Sequence, residues 1–140
     1  MTVKLSSTKA DLDREAKGDW VEPIDHIPGV KLLVSSLMFP AYRVERDLVG
    51  QKLARRFKGK PIPPDVMQVE VGKLFAKHIL HGWEGFDVPY SKEKAEELLT
   101  DPSYRLLVSA VEWCGAKLAD VDVEFIEDAA KNSERPSETA

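Results

Sequence analysis

The side chains able to do chemistry are few and scattered. His78 and His81 stand three apart, a spacing that makes residues neighbours on a helix and could bring both imidazoles to one metal ion. On a helical wheel they separate, His78 falling beside Val71 and Leu74 on an apolar flank and His81 on the polar strip. Further ligands would have to come from His26, Glu84, Asp87 or Cys114, none at a diagnostic spacing, so no metal is expected. Cys114 with a histidine could form a thiol nucleophile. It lies between Val111 and Leu118 on an apolar stripe, however, where a cysteine acts as a small core residue. Glu93, Glu96 and Glu97 crowd a helix start with no partner placed for acid–base work. These patterns predict a non-enzymatic chain without a cofactor.

Binding residues are better represented. Arg55-Arg56-Phe57-Lys58-Gly59-Lys60 joins cations to an aromatic ring, a combination that can neutralise phosphates and stack a base. A net charge of −4 and the lack of a base-reading helix disfavour nucleic acid. A helix C-terminus also attracts cations through its own dipole. Trp83, Phe86 and Tyr90 share a glycine-bearing turn, and Trp113 lies off the main apolar stripe of its helix. Tryptophan often anchors protein interfaces, though each of these could equally plug the core. Charge is distributed unevenly. From Tyr42 to Lys60 the local balance is +5, and from Asp120 onward it is −5, so Arg55 and Arg56 join the candidate protein-binding residues as a means of self-association.

The elements that must position these residues fit within 140 residues and 15.7 kDa, enough for one domain. A chain of this size can bury roughly two thirds of its unfolded surface, so a core needs neither disulfides nor metal. A lone Cys114 suits a reducing compartment, no apolar run approaches bilayer length, and the start lacks a signal-type stretch. The expected location is therefore the cytoplasm, with no membrane partner. Residues 1–18 are polar and predict a flexible arm, residues 132–140 a flexible tail, and 19–131 a single helical domain. Its fold class is mainly α, four to five helices with a small β-hairpin at 20–35. The hairpin turns at Ile27-Pro28-Gly29-Val30, where Pro presets φ and Gly accepts positive φ, and Pro23 puts its first strand at an edge.

Helical periodicity begins at Pro40 and stops at Gly59 and Pro61. Asp65 with Gln68 three places on reads as a capping box for a helix over 66–83, which is apolar around nearly its whole circumference. Ser91 caps a short helix, Lys92 to Leu99, and Asp101-Pro102 starts the next. Its stripe holds Tyr104, Leu107, Val108, Val111, Cys114 and Leu118, with Leu106 and Trp113 opposite. Asp120 to Ala130 predicts a final acidic helix.

Several segments in this order carry a resemblance. They are Ile79-Leu80-His81-Gly82-Trp83-Glu84-Gly85-Phe86, then Val88-Pro89-Tyr90-Ser91-Lys92-Glu93-Lys94-Ala95, then Leu98-Leu99-Thr100-Asp101-Pro102, and a last helix reaching Phe125 and Lys131-Asn132. Over roughly 19–132 the chain resembles the tail assembly chaperones of long, non-contractile-tailed bacteriophages. Its Phe86-Asp87-Val88-Pro89 stretch is shorter than the Asp-Gly turn common there. The resemblance implies a protein made in the infected or lysogenic bacterial cytoplasm, binding the tape measure protein, helping to recruit tail tube protein, and absent from the mature virion. The turn Trp83/Phe86/Tyr90 and the helix Met67–Trp83 would then form client or self-association surface. Two other classes compete with it: a small nucleic-acid-binding regulator using the basic 43–60 segment, and a minor tail or completion protein retained in the virion.

Overall fold

Helix starts follow local signals, and strands appear where distant segments pair. The computed structural model describes residues 1–127. Along them run β1 (Thr2–Val3), a 3-10 turn at Leu5–Thr8, α1 (Leu12–Lys17), β2 (Asp19–Val21) and β3 (Lys31–Val34). Next come α2 (Pro40–Arg56), α3 (Pro64–Leu74), a π-helical turn at Phe75–Ile79 and β4 (Leu80–Glu84). α4 (Lys92–Leu99), a 3-10 turn at Pro102–Tyr104, α5 (Arg105–Leu118) and β5 (Phe125–Ile126) complete the order. The fold is mainly α with a small antiparallel sheet, as the sequence predicts. No helix among the described residues is long and apolar enough to cross a membrane.

The contacts divide the chain into two units, Leu12–Ala119 and a smaller one made of Met1–Asp11 with the segment from Asp120. This division differs from a single domain over 19–131 flanked by an arm and a tail. In the smaller unit β1 pairs antiparallel with β5, Thr2 opposite Ile126 and Val3 opposite Phe125. The Lys4 amide donates to the Glu124 carbonyl at 2.8 Å, and the Glu124 amide to Ser7 Oγ at 2.8 Å. The segment 1–18, expected to be a flexible arm, holds a strand, a 3-10 turn and α1, the strand pairing with a segment more than a hundred residues away. The acidic helix expected from Asp120 does not form among the described residues, where 120–124 carry no regular element and lead into β5. Val121, Val123 and Phe125 alternate with acids, the period of a strand rather than a helix. Residues 128–130 of that expected helix, and the tail at 132–140, lie outside the described residues.

In the larger unit a three-stranded sheet has the order β2-β3-β4. β2 and β3 form the expected hairpin, with Asp19 opposite Val34 and Val21 opposite Leu32, and β2 lies at the edge. Gly29 takes φ 87 and the Val30 amide reaches the Ile27 carbonyl, the geometry that Pro28-Gly29 is suited to. β4 is a correction to the helix expected over 66–83. α3 passes into a π turn, and the chain becomes extended at Leu80 to pair with β3, Leu80 opposite Val34 and Trp83 opposite Leu32. The later half of this segment owes its apolar wheel to burial, because Phe75, Ile79 and Leu80 pack into the core with Leu32, Val34, Leu99 and Val111, whereas Met67 at its start is exposed. The capping box also fails. Pro63 and Pro64 open α3, and Gln68 instead donates its side-chain amide to the Asp101 carbonyl at 2.9 Å. Gly72 lets α3 lie against the backbone of Leu99 at the end of α4, where a Cβ would overlap the Leu99 carbonyl.

Candidate functional site

Trp83 is the penultimate residue of β4, paired with Leu32, with its indole turned into the core, and it is 6% exposed. Its Nε1 donates to the Val88 carbonyl at 2.8 Å, which ties down the turn beyond β4. Phe86 and Tyr90 meet the indole edge-on from two positions, with centroids 5.5 Å and 5.1 Å away and planes at 88° and 84°. Such T-shaped pairs suit the ring quadrupoles, adding about 0.5–1.5 kcal/mol each beyond burial. Tyr90 also donates its hydroxyl to the Leu80 carbonyl at 3.2 Å, and burial pushes that hydroxyl above its ordinary pKa. Gly85, at φ 102, passes so close to Gly29 that a Cβ would meet the Gly29 carbonyl. The aromatic turn is therefore clamped to the hairpin turn.

Between this turn, α4 and the start of α5 lies a cleft of about 670 Å³. Its apolar lining includes Trp83, Phe86, Leu98, Tyr104 and Leu106, and its rim carries Asp87, Glu97 and Asp101 against Lys94. Ser91 Oγ caps α4 by accepting from the Lys94 amide at 3.0 Å, and Asp101 caps the next turn by accepting from the Ser103 amide at 2.9 Å, both as the sequence predicts. The Ser103 amide and hydroxyl hold the Asp101 carboxyl below its usual pKa. Tyr104 and Leu106 are 44% and 55% exposed. Tyr104 does not sit on the buried stripe to which its spacing assigned it. Leu106, off that stripe, was the signal that the start of α5 has a second apolar surface.

The predicted site residues separate into three places. Trp83, Phe86 and Tyr90 come together, with Trp83 and Phe86 lining the cleft. Trp113, 39% exposed, has its ring 5.9 Å from that of His26 and is not among the cleft residues. Arg55 and Arg56 are exposed at the end of α2, the Arg56 guanidinium lying 5.0 Å from the centre of the Phe57 ring. Cys114 is fully buried and its thiol is pushed up to about 12 by burial, far from a reactive thiolate.

His78 is largely buried beside Tyr42, as a place on the apolar flank predicts, but it also meets a carboxylate. His81 is half-buried in a strand rather than on a wet strip. His78 Nε2 is 2.8 Å from Glu45 Oε1, which also accepts from Lys77 Nζ at 2.8 Å, and this pairing, Lys77 first, lowers the Glu45 pKa. His81 is the extra residue where the β3–β4 register shifts, since Leu33 faces Gly82 and Val34 faces Leu80. Its Nε2 lies 2.8 Å from Ser35 Oγ, itself bonded to the Ala16 carbonyl at 3.1 Å. Burial of the imidazole lowers the His81 pKa. Among the described residues no group of three or more His, Cys, Asp or Glu side chains could hold a metal ion.

A family model described as the YdaY prophage protein matches residues 37–132. The chain belongs to that family. It is thus a protein of phage or prophage origin, as the resemblance implied at that coarser level. The matched span begins after β3 and contains the basic end of α2, the aromatic turn and the helices around the cleft. No curated protein and no solved structure matches the chain.

Proposed function

We propose that the protein is a non-enzymatic tail assembly chaperone, working in the bacterial cytoplasm and absent from the finished virion. It binds the tape measure protein and helps recruit tail tube subunits. The observation that carries this reading is the cleft, whose lining pairs exposed apolar groups on Tyr104 and Leu106 with a rim of Asp87, Glu97 and Asp101. Such a surface suits an amphipathic helix that brings apolar anchors flanked by cations, the helix-in-groove mode of recognition. A long helical ruler protein presents many such segments, and they must be covered until tube subunits enclose them. Further apolar groups stand in solvent on the helices, Val44 and Leu48 on α2 and Met67 on α3, so additional client contact has surface to use. Trp83 forms part of the cleft floor and, 6% exposed, serves the site chiefly by holding Phe86 in place.

Co-expression with the tape measure protein of the same prophage tests the proposal. The expected result is a soluble complex of the two, with the tape measure protein aggregating when expressed alone, and no trace of the chain by mass spectrometry of purified particles. Equal solubility of the tape measure protein without it would remove the chaperone role. Stoichiometric presence in particles would make it a structural tail component instead.

A further inference from the structure

Among the described residues, Lys52, Arg55, Arg56, Lys58 and Lys60 are all exposed, with no carboxylate in the sequence between Gln51 and Ile62. None of the five makes an ion pair with a carboxylate of the described residues, and the Arg56 guanidinium faces the half-buried Phe57 ring. The backbone builds them into a tight turn. Phe57 and Gly59 amides return to the Leu53 and Ala54 carbonyls at 3.0 and 2.9 Å, while Lys58 and Gly59 take φ 53 and 75. Aromatic and arginine groups presented together are a common form of interface anchor.

The cleft has the opposite character. Among the described residues Asp87 has no carboxylate-neutralising partner, and Glu97 is matched only by half-exposed Lys94 at 3.4 Å. Glu93 and Glu96 extend the negative surface along α4, where with Glu97 and Thr100 they line a second hollow of about 290 Å³. No residue of the basic turn lines the cleft of its own chain.

We propose that the cleft also receives the basic turn of a second copy of this chain, Arg55 and Arg56 meeting Asp87 and Glu97 while Phe57 covers Tyr104 and Leu106. The two surfaces differ, so the contact is heterologous: each copy keeps one free turn and one free cleft, and copies add head to tail. A client segment and a neighbouring copy compete for the same cleft. The self-contact needs this chain alone, so it stands or falls separately from the chaperone reading.

Sedimentation velocity of the full chain tests it, over a range of protein concentration and between roughly 0.05 and 0.5 M salt. Wild type is expected to form a concentration-dependent series of oligomers at low salt that dissociates at high salt. Two charge-reversed variants, Arg55→Glu/Arg56→Glu and Asp87→Lys/Glu97→Lys, should each associate at least about tenfold more weakly. Mixing the two variants restores complementary pairs at both contacts and should restore the oligomers. All substituted positions are exposed, and unchanged circular dichroism confirms that each variant folds. A wild-type chain that stays monomeric at low salt, whether or not it shifts a DNA duplex, overturns the proposal. So does wild-type association by either reversed variant, or a mixture that stays monomeric.

Discussion

The aromatic turn at 83–90 and the basic turn at 55–60 both offer aromatic rings beside charge, yet they are built in opposite ways. In the first, the ring of highest value for an interface is buried, with Nε1 satisfied by Val88 and its surroundings filled by Phe86 and Tyr90. In the second, the cations project into solvent with only Phe57 for company. The contrast teaches that an aromatic residue can serve a binding site as its foundation. In the proposed site, exposed Leu106 and Tyr104 are left to supply the contact, and the freely projecting turn offers charge whose value depends on what meets it.

Breaking the foundation should have the largest effect. Trp83→Ala removes the central ring of the cluster and its hydrogen bond, with an expected loss of about 3–5 kcal/mol in urea unfolding. A loss below about 1 kcal/mol would place the ring outside the core.

A smaller, pH-dependent effect separates the buried strand from the solvated turn. The folded His81 pKa lies below its ordinary 6.5, chiefly through burial and secondarily through Lys92. Between the folded value and 6.5 the unfolded chain binds more protons, so this contribution to stability is fully present above 6.5 and is lost as pH falls through that window. His81→Gln should flatten the stability profile between about pH 7.5 and 5.5, whereas an unchanged slope would show that the bulged ring is not the responsible group. The smallest effect belongs to the basic turn. Arg55→Ala/Arg56→Ala should change unfolding free energy by no more than about 0.5 kcal/mol, and a larger destabilisation would mean that the turn is structural.

Most helix boundaries were legible because their causes are local. Pro40 opens α2, Ser91 and Asp101 cap the helical turns that begin beside them, and Pro28-Gly29 turns the hairpin. The passage from α3 to β4 was not. Residues 79–83 satisfy a helical wheel only because they are buried on all sides, and their strand partner, 31–34, lies nearly fifty residues earlier. The helix expected there put His81 on a wet strip, whereas the strand half-buries it, and left Trp83 open between core and interface, where the structure puts its ring in the core. The pairing of β1 with β5 was hidden for the same reason, although the alternation from Val121 to Phe125 announced a strand. Of the candidate site, the aromatic trio could be found in the sequence. The cleft could not, since its other wall comes from Leu98, Tyr104 and Leu106, brought near by the packing of α4 and α5.

The most direct test places one charge on that wall. Leu106→Asp alters an exposed side chain, so its unfolding free energy should stay within about 0.5 kcal/mol of wild type. In co-purification, wild type is expected to retain the tape measure protein and the variant to lose at least about tenfold in recovery, the scale of an interface anchor. Recovery equal to wild type by a folded Leu106→Asp chain would contradict the cleft as the client site.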